Sequence, residues 1–301
     1  MKTEINLDKI RKEKPIKELL DFSIINIDKP TGPTSFGVDE FINRSLGINK
    51  SSHAGTLDPA VTGVLPVLLG RACKLLGYFM GHNKTYVGIM RLHEDVDDKK
   101  LREEIKKFVG RIKQTPPVKS RVKREERERT VYKWDILERS PSSSSDELEG
   151  KGKDVLFEVE CEAGTYIRKL CDDLGKFIGG AHMLELRRTK ASIFEEKVIV
   201  NLYDFDKAVS AWKSGDEKLL RKILIPAEII SKVLPVVQVK EESLKKLWNG
   251  SPLFPEFLAG NLEFKEGKKV VVFSGNRFIG IYTLRKEGNI LAWPEYVLKT
   301  F

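Results

Sequence analysis

Cysteine is scarce: Cys73, Cys161 and Cys171 are the only three in 301 residues, and no two form a Cys-x-x-Cys pair. That argues against a zinc ribbon, a disulfide framework or a dithiol redox centre, and leaves small core residues in a reducing compartment. The four histidines, His53, His82, His93 and His182, are scattered without metal-ligand spacing. There is no P-loop and no G-x-G-x-x-G after a strand, so nucleoside triphosphates and dinucleotides are not indicated. Asp95, Asp97 and Asp98 lack the Gly and Glu of an EF-hand and read as a solvated loop. The expectation is chemistry with no metal and no cofactor. Long apolar runs are missing too. Residues 1–21 alternate charge and apolar character, unlike a signal peptide. Residues 61–80 are the most apolar stretch, but Pro66, Arg71 and Lys74 interrupt it. A spanning helix needs ~20 mostly apolar residues. The stretch reads as buried core, and the protein as cytoplasmic with no membrane partner.

Hydrophobic residues make up 41% and charged residues 32%, enough for a sizeable core. The length predicts two domains. A net charge of +9 points to a polyanionic partner.

Periodicity predicts a helix over residues 35–46, with Val38, Phe41 and Ile42 on one face and Gly47 as the stop. Leu101, Ile105 and Phe108 predict a second over 99–109. Residues 154–161 alternate as a half-buried strand. They lead through Gly164 into a helical stripe over 167–178, closed by Gly179-Gly180. Irregularly mixed strands and helices favour α+β over a doubly wound sheet. Residues 119–133 are densely charged, and 141–153, with four consecutive serines, read as a flexible connector. From about residue 233 the pattern turns β-rich: a strand near Val236, a helix over 241–248, and a hairpin around Ser274-Gly275-Asn276. The boundary falls between separate hydrophobic patterns, which predicts domains at 1–232 and 233–301 that fold separately.

The run Ser52-His53-Ala54-Gly55-Thr56-Leu57-Asp58-Pro59 stands between two helical patterns. Pro59 biases Asp58 toward extended geometry, and Gly55 allows a tight loop. A carboxylate is thus presented on a stiff loop. For an arbitrary Asp-Pro, a turn or a helix start is the better reading.

This segment resembles the G-T-L-D-P signature of TruB-type pseudouridine synthases. Asp28-Lys29-Pro30-Thr31-Gly32-Pro33-Thr34-Ser35 resembles that family's D-K-P-x-G-x-T-S opening, and Lys84-Thr85-Tyr86 its K-x-Y motif. Gly164-Thr165-Tyr166-Ile167-Arg168-Lys169-Leu170 and Leu186-Arg187-Arg188-Thr189 follow in family order. The C-terminal part resembles a PUA RNA-binding domain, with Asn249-Gly250-Ser251-Pro252-Leu253 at its turn. The arrangement is most similar to archaeal homologues of dyskerin, the catalytic subunit of H/ACA ribonucleoproteins. Ser52 departs from the pattern, standing where many relatives have Gly; it fits if the backbone there needs no positive φ.

The resemblance implies a pseudouridine-synthase catalytic domain with a mixed central sheet and flanking helices, plus a small β-rich PUA domain. It implies isomerisation of uridine to pseudouridine: the C1′–N1 bond breaks, the base turns, and C1′–C5 forms. Asp58 would be the nucleophile and Arg168 its charged partner, holding the carboxylate ionised. Tyr86 would stack on the flipped base and serve in proton transfer from C5. Tyr166 would support the pocket, and His53 would guard the space the base vacates. Leu186 would join the substrate-contacting set. Lys29 would act either structurally or on RNA. Lys119, Arg121, Lys123 and Arg124 lie where the family has a thumb loop that closes over RNA. The implied partners are an H/ACA guide RNA, substrate rRNA or tRNA, and small H/ACA accessory proteins. Two other readings stand beside guided modification: a stand-alone tRNA T-loop synthase, and a non-catalytic RNA-binding scaffold.

Overall fold

The computed structural model describes residues 4–116, 123–141, 151–263 and 265–299. Two short helices open it, α1 (Leu7–Glu13) and α2 (Ile16–Asp21), followed by β1 (Ser23–Lys29), α3 (Ser35–Leu46), β2 (Ser51–His53) and β3 (Thr62–Leu69). A 3-10 turn leads to α4 (Leu76–Met80), then β4 (Lys84–Leu92), α5 (Asp98–Lys106), β5 (Gly110–Gln114), β6 (Arg127–Pro141) and β7 (Lys151–Cys161). Next come α6 (Ile167–Gly175), β8 (Ala181–Ala191), β9 (Phe194–Glu195), β10 (Val200–Asn201), α7 (Leu202–Lys213), α8 (Lys218–Ile223) and β11 (Ile225–Pro226). The C-terminal part contributes β12 (Val236–Gln238), α9 (Leu244–Trp248), β13 (Lys269–Ser274), β14 (Arg277–Glu287) and β15 (Ile290–Val297).

The main sheet runs β10-β1-β3-β8-β4-β7-β6-β5, with β11 beside β1, β2 beside β3 and β9 beside β8. It is mixed: β1–β10 and β3–β8 are parallel, and the other pairs are antiparallel. The smaller sheet runs β12-β13-β14-β15.

The expected helix over 35–46 forms as α3, capped by the Thr34 hydroxyl and ended by Gly47 at φ +65°. Asp97 caps α5 by accepting from the Lys99 and Lys100 amides, which gives that acidic stretch a structural role. The stripe over 167–178 is shorter than expected. Helix α6 ends at Gly175, where the Gly180 amide bonds the Gly175 carbonyl at 2.7 Å. Ile178 still reaches the same core from the following turn.

The apolar run from residue 61 begins as a strand, not as the helical pattern expected after the Asp58 loop. Its reason is two-sided burial. Leu65, Val67 and Leu69 of β3 face one core, with Ile25 and Ile27 of β1; the same core draws in residues of α3, α5, α6 and α7. Val64 and Leu68 face a second core with Ile24. A strand buried on both faces shows no alternation and cannot be told from a helix by periodicity.

The second core corrects the expectation of separate hydrophobic patterns. Val271, Phe273, Phe278 and Ile281 of the small sheet pack there with Ile5, Ile10, Phe22 and Ile24. The Phe22 and Phe278 rings lie 5.0 Å apart. A third cluster, including Val272, Ile279 and Leu284, belongs to the C-terminal part alone. Cys161 and Cys171 are buried thiols, and burial pushes Cys161 up to about 12. Among the described residues no helix is long and apolar enough to cross a membrane.

Candidate active site

Asp58 occupies the first position of a turn, closed by the Val61 amide donating to the Asp58 carbonyl at 3.0 Å. Pro59 fills the next position, where its fixed φ suits a turn. The opening motif grips both neighbours of Asp58. Ser35 Oγ donates to the Leu57 carbonyl at 3.0 Å and accepts from the Leu57 amide at 2.9 Å. The Gly32 amide donates to the Pro59 carbonyl at 2.9 Å. Lys29 Nζ donates to the carbonyls of Pro30, Pro59 and Val61 at 2.8, 3.0 and 2.9 Å.

Lys29 is 0% exposed, and its three N–H groups all have acceptors. All of its donors are thus committed to the backbone of the Asp58 loop, an arrangement that fits a structural role. Burial pulls its ammonium below the usual lysine range, against the pull of the nearby Asp58 carboxylate.

Gly55 stands at φ +103°, and a Cβ there would meet Lys84 Cε at 3.3 Å and Arg188 Nη1 at 3.4 Å. Ser52 lies in β2, and Ser192 has the only positive φ among the described non-Gly residues, so Ser is accommodated. His53 is tied on both nitrogens: Nδ1 lies 2.7 Å from Asp39 Oδ2 and Nε2 lies 3.0 Å from Thr56 Oγ1. It is half-buried and braces the loop from beside it.

Arg168 arrives from the first turn of α6, 110 residues away, and Nη2 donates to Asp58 Oδ2 at 2.8 Å. Both side chains are about half exposed, at 46% and 58%. An exposed pair contributes ~0–1 kcal/mol to stability. Its consequence is therefore orientation of the carboxylate. Gln114 fixes where α6 begins: Oε1 accepts from the Tyr166 amide at 3.0 Å, and Nε2 donates to the Tyr166 carbonyl at 3.2 Å.

Tyr86 sits on β4 in mid-sheet, 8% exposed, opposite Val159 of β7 and Arg188 of β8. Burial pushes its phenol up; the Arg188 guanidinium beside it pulls down, while Asp58 adds to the rise. Leu186, buried on β8, pairs with Gly88 of β4 two residues further along. Lys84 is buried near Arg188, and burial with that charge pulls it down to about 8.

Asp58 and Arg168 thus meet, Lys29 holds the Asp58 loop, and Tyr86 lies close enough to feel the Asp58 charge; His53 braces the loop, and Tyr166 enters through its backbone bonds to Gln114. Lys123 and Arg124 do not join this cluster. They are exposed, and Lys123 pairs with Glu125. They lead into β6, whose Arg127 pairs with Gln114. Lys119 and Arg121 lie outside the described residues, as do 142–150 of the serine-rich connector. Ser35, Gln114 and Arg188 were not singled out as site residues. Ser35 and Arg188 lie inside quoted motifs, so a signal existed. Gln114 has none. Among the described residues no three His, Cys, Asp or Glu side chains are grouped to hold a metal ion.

Comparison with known proteins agrees with this arrangement. Residues 43–167 match the N-terminal domain of the TruB family pseudouridylate synthases, and 168–231 match the tRNA pseudouridylate synthase B C-terminal domain. A probable tRNA pseudouridine synthase B of Methanothermobacter thermautotrophicus is 42% identical, covering 82% of this chain and 74% of its own. The protein of the same name in Methanocaldococcus jannaschii is 41% identical, covering 82% and 71%. Among solved structures, a Cbf5-Nop10-Gar1 complex matches with a TM-score of 0.82 and 36% identity, over 95% of this chain and 88% of the other. An H/ACA RNP bound to a substrate RNA containing 2′-deoxyuridine matches at 0.81 and 34%, with the same coverage. On sequence and fold together, this chain belongs to the TruB family of RNA pseudouridine synthases.

Proposed function

We propose that Asp58 is the nucleophile, that Arg168 orients it, and that Tyr86 packs against the flipped uracil and takes part in removing the C5 proton. The observation that carries this reading is the 2.8 Å Arg168–Asp58 contact at a loop whose residues 57 and 59 are both pinned. The backbone on both sides is fixed, and the carboxylate is free in solvent to meet a base. Breaking C1′–N1 and making C1′–C5 transfers one proton from C5 and adds one at N1, so nothing is consumed. The target atom lies in stacked RNA, and extruding it costs a few kcal/mol, which phosphate contacts elsewhere offset.

We further infer a guide-RNA-dependent catalytic subunit of an H/ACA ribonucleoprotein acting on rRNA. The likeness to Cbf5 chains over 95% of this chain supports it, because that span includes the C-terminal sheet. In this reading residues 233–301 are a PUA domain that holds the guide, and small accessory proteins seat the substrate over Asp58. In this reading the basic residues Lys119, Arg121, Lys123 and Arg124 contact RNA; of these, Lys123 and Arg124 are described and are exposed. The protein works in the cytoplasm. The names of the archaeal relatives favour a second reading, a stand-alone synthase for a tRNA T-loop uridine.

The test is tritium release from C5-labelled uridine in rRNA and tRNA substrates, with and without an H/ACA guide and accessory proteins. Guided modification of rRNA, faster by orders of magnitude than by the chain alone, is expected. Asp58→Asn should reduce release to background while RNA binding stays within about three-fold, less than 1 kcal/mol. Efficient guide-free modification confined to a tRNA T-loop would establish the second reading. Turnover by Asp58→Asn would remove the nucleophile assignment, whereas RNA binding by the parent without turnover on any of these substrates would favour the scaffold alternative.

A further inference from the structure

Arg188 heads the largest fully buried side chains, at 0% exposure in the middle of the main sheet. Its guanidinium joins two segments that flank the Asp58 loop. Nε donates to the Val64 carbonyl at 2.8 Å, and Nη2 donates to the Gly55 carbonyl at 2.8 Å. Gly63 makes this approach possible: a Cβ there would lie 2.2 Å from the Arg188 carbonyl oxygen. The remaining nitrogen, Nη1, is buried and makes no hydrogen bond of good geometry among the described residues, while the Arg188 guanidinium lies close enough to Tyr86 to pull its phenol down by charge and hydrogen bonding. An unmade hydrogen bond is more destabilising on a buried charged group than on a neutral one. A protein that keeps one beside its active site has a use for it.

Tyr86 stands opposite Arg188 in the β4–β8 ladder. Facing residues on such strands have Cβ atoms ~4.5–5.5 Å apart on one face of the sheet. The groups near Tyr86 are Arg188, Cys161 and Asp58, and only Arg188 favours negative charge on its oxygen. Lys84, on the same strand, has its ammonium committed to the Met80 and His82 carbonyls at 3.1 and 3.2 Å.

We propose that Arg188 is a positioning residue for the isomerisation: two of its nitrogens tie the Asp58 loop to β8, and the third takes the Tyr86 oxygen when that oxygen carries charge. This rests on the reading that Tyr86 accepts the C5 proton. In that step the C5–H bond breaks and its electron pair stays in the ring to restore the C5–C6 double bond. The proton moves to the Tyr86 phenolate, which becomes the phenol and later gives the proton to water. A phenolate in a dry sheet needs a fixed positive partner, and Arg188 is the cation placed to be one.

The test is the pH dependence of the single-turnover rate on C5-tritiated RNA, for the parent, Arg188→Lys and Arg188→Met. The parental rate should rise with pH along a limb set by Tyr86. Removing the charge should move that limb up by about one pH unit or more, the size of one close opposite charge, with little change in RNA affinity. Arg188→Lys keeps a charge, so its limb should stay near the parental position while the rate falls with the loosened loop. A folded Arg188→Met whose limb coincides with the parent's overturns the proposal. If neither variant folds, a ring-fluorinated tyrosine at position 86 leaves Arg188 intact and makes the phenol more acidic. The limb should then move to lower pH, and an unmoved limb again overturns the proposal. An active parent together with an unmoved limb in Arg188→Met counts against Arg188 alone, whereas turnover by Asp58→Asn counts against the function reading.

Discussion

Replacing Lys29 by Met keeps the length of the side chain and removes an ammonium that holds three carbonyls. The Pro59 carbonyl keeps its bond from the Gly32 amide, so the carbonyls of Pro30 and Val61 bear the loss. A buried unsatisfied carbonyl is destabilising by ~1–3 kcal/mol, which gives ~2–6 kcal/mol for the two. Relief from burying a charge works in the opposite direction and places the expected loss in the lower half of that range. For a chain of this size that corresponds to a fall in Tm on the order of 3–6 °C. The catalytic consequence is larger, because both grips on the Asp58 flank share this residue. A displacement of ~1 Å at a reacting group costs ~100-fold in rate. Thermal unfolding and single-turnover rates measure the two effects. RNA affinity as a function of salt supplies the control: a phosphate-binding lysine would lower the salt slope by ~1, and a buried one leaves it unchanged. A variant with parental Tm and rate but a reduced salt slope would show that Lys29 contacts RNA and that the loop needs no such anchor.

Arg168→Lys keeps the charge but loses the planar fork, and the pair is too exposed to matter for stability. The expected result is a rate lower by ~100-fold with Tm and RNA affinity unchanged; a parental rate would refute the Asp–Arg pairing. Phe278→Ala opens a cavity where the two sheets meet, 2% exposed and against Phe22 and Phe273. It should destabilise the chain by ~3–5 kcal/mol. Calorimetry should show the whole unfolding transition moving down, and a small sheet that melts separately from an unshifted main body would refute the shared core. Lys84→Met tests a pH effect. The folded-state pKa of Lys84, about 8, lies below the ordinary 10.5, so the unfolded chain holds the proton more tightly between those values. Lys84 therefore adds stability as pH rises through that window, and contributes a constant below it. Parent-minus-variant stability should increase from about pH 8 upward, and a flat difference would refute the burial argument.

The residues that read as chemistry in the sequence were those with ordered motifs around them. Asp58 and Arg168 lie 110 positions apart and meet in the structure. Tyr86 was legible as a motif residue, but its place opposite Arg188 depends on strand register, which no local pattern fixes. The opening motif was legible as a signature and not as a device. That Lys29, Gly32 and Ser35 hold residues 57, 59 and 61 follows only from β1 pairing with β3. Gln114 was invisible because nothing about a lone Gln at a strand end announces a backbone clasp. The strand over 62–69 and the shared second core escaped for one reason: two-sided burial erases the alternation that would have marked both.

The placement of β8 between β3 and β4 also sets an order of events for a chain emerging from the ribosome. The grips on the Asp58 loop from Lys29 and Ser35 span at most 32 residues. Its partners Arg168 and Arg188 come from 110 to 133 residues further on. At ~5–20 residues per second, the Asp58 loop is shaped roughly 5–25 s before its two arginine partners are made. Through that interval β3 and β4 are neighbours in sequence yet must leave a strand-wide gap between them, each with one edge unpaired. Open edges invite mispairing, and closing them needs a contact of high sequence separation, the slow kind. The insertion of β8 thus joins β3 to β4 and brings Arg188 onto the Asp58 loop in one step, before β9, β10 and β11 are added to the sheet.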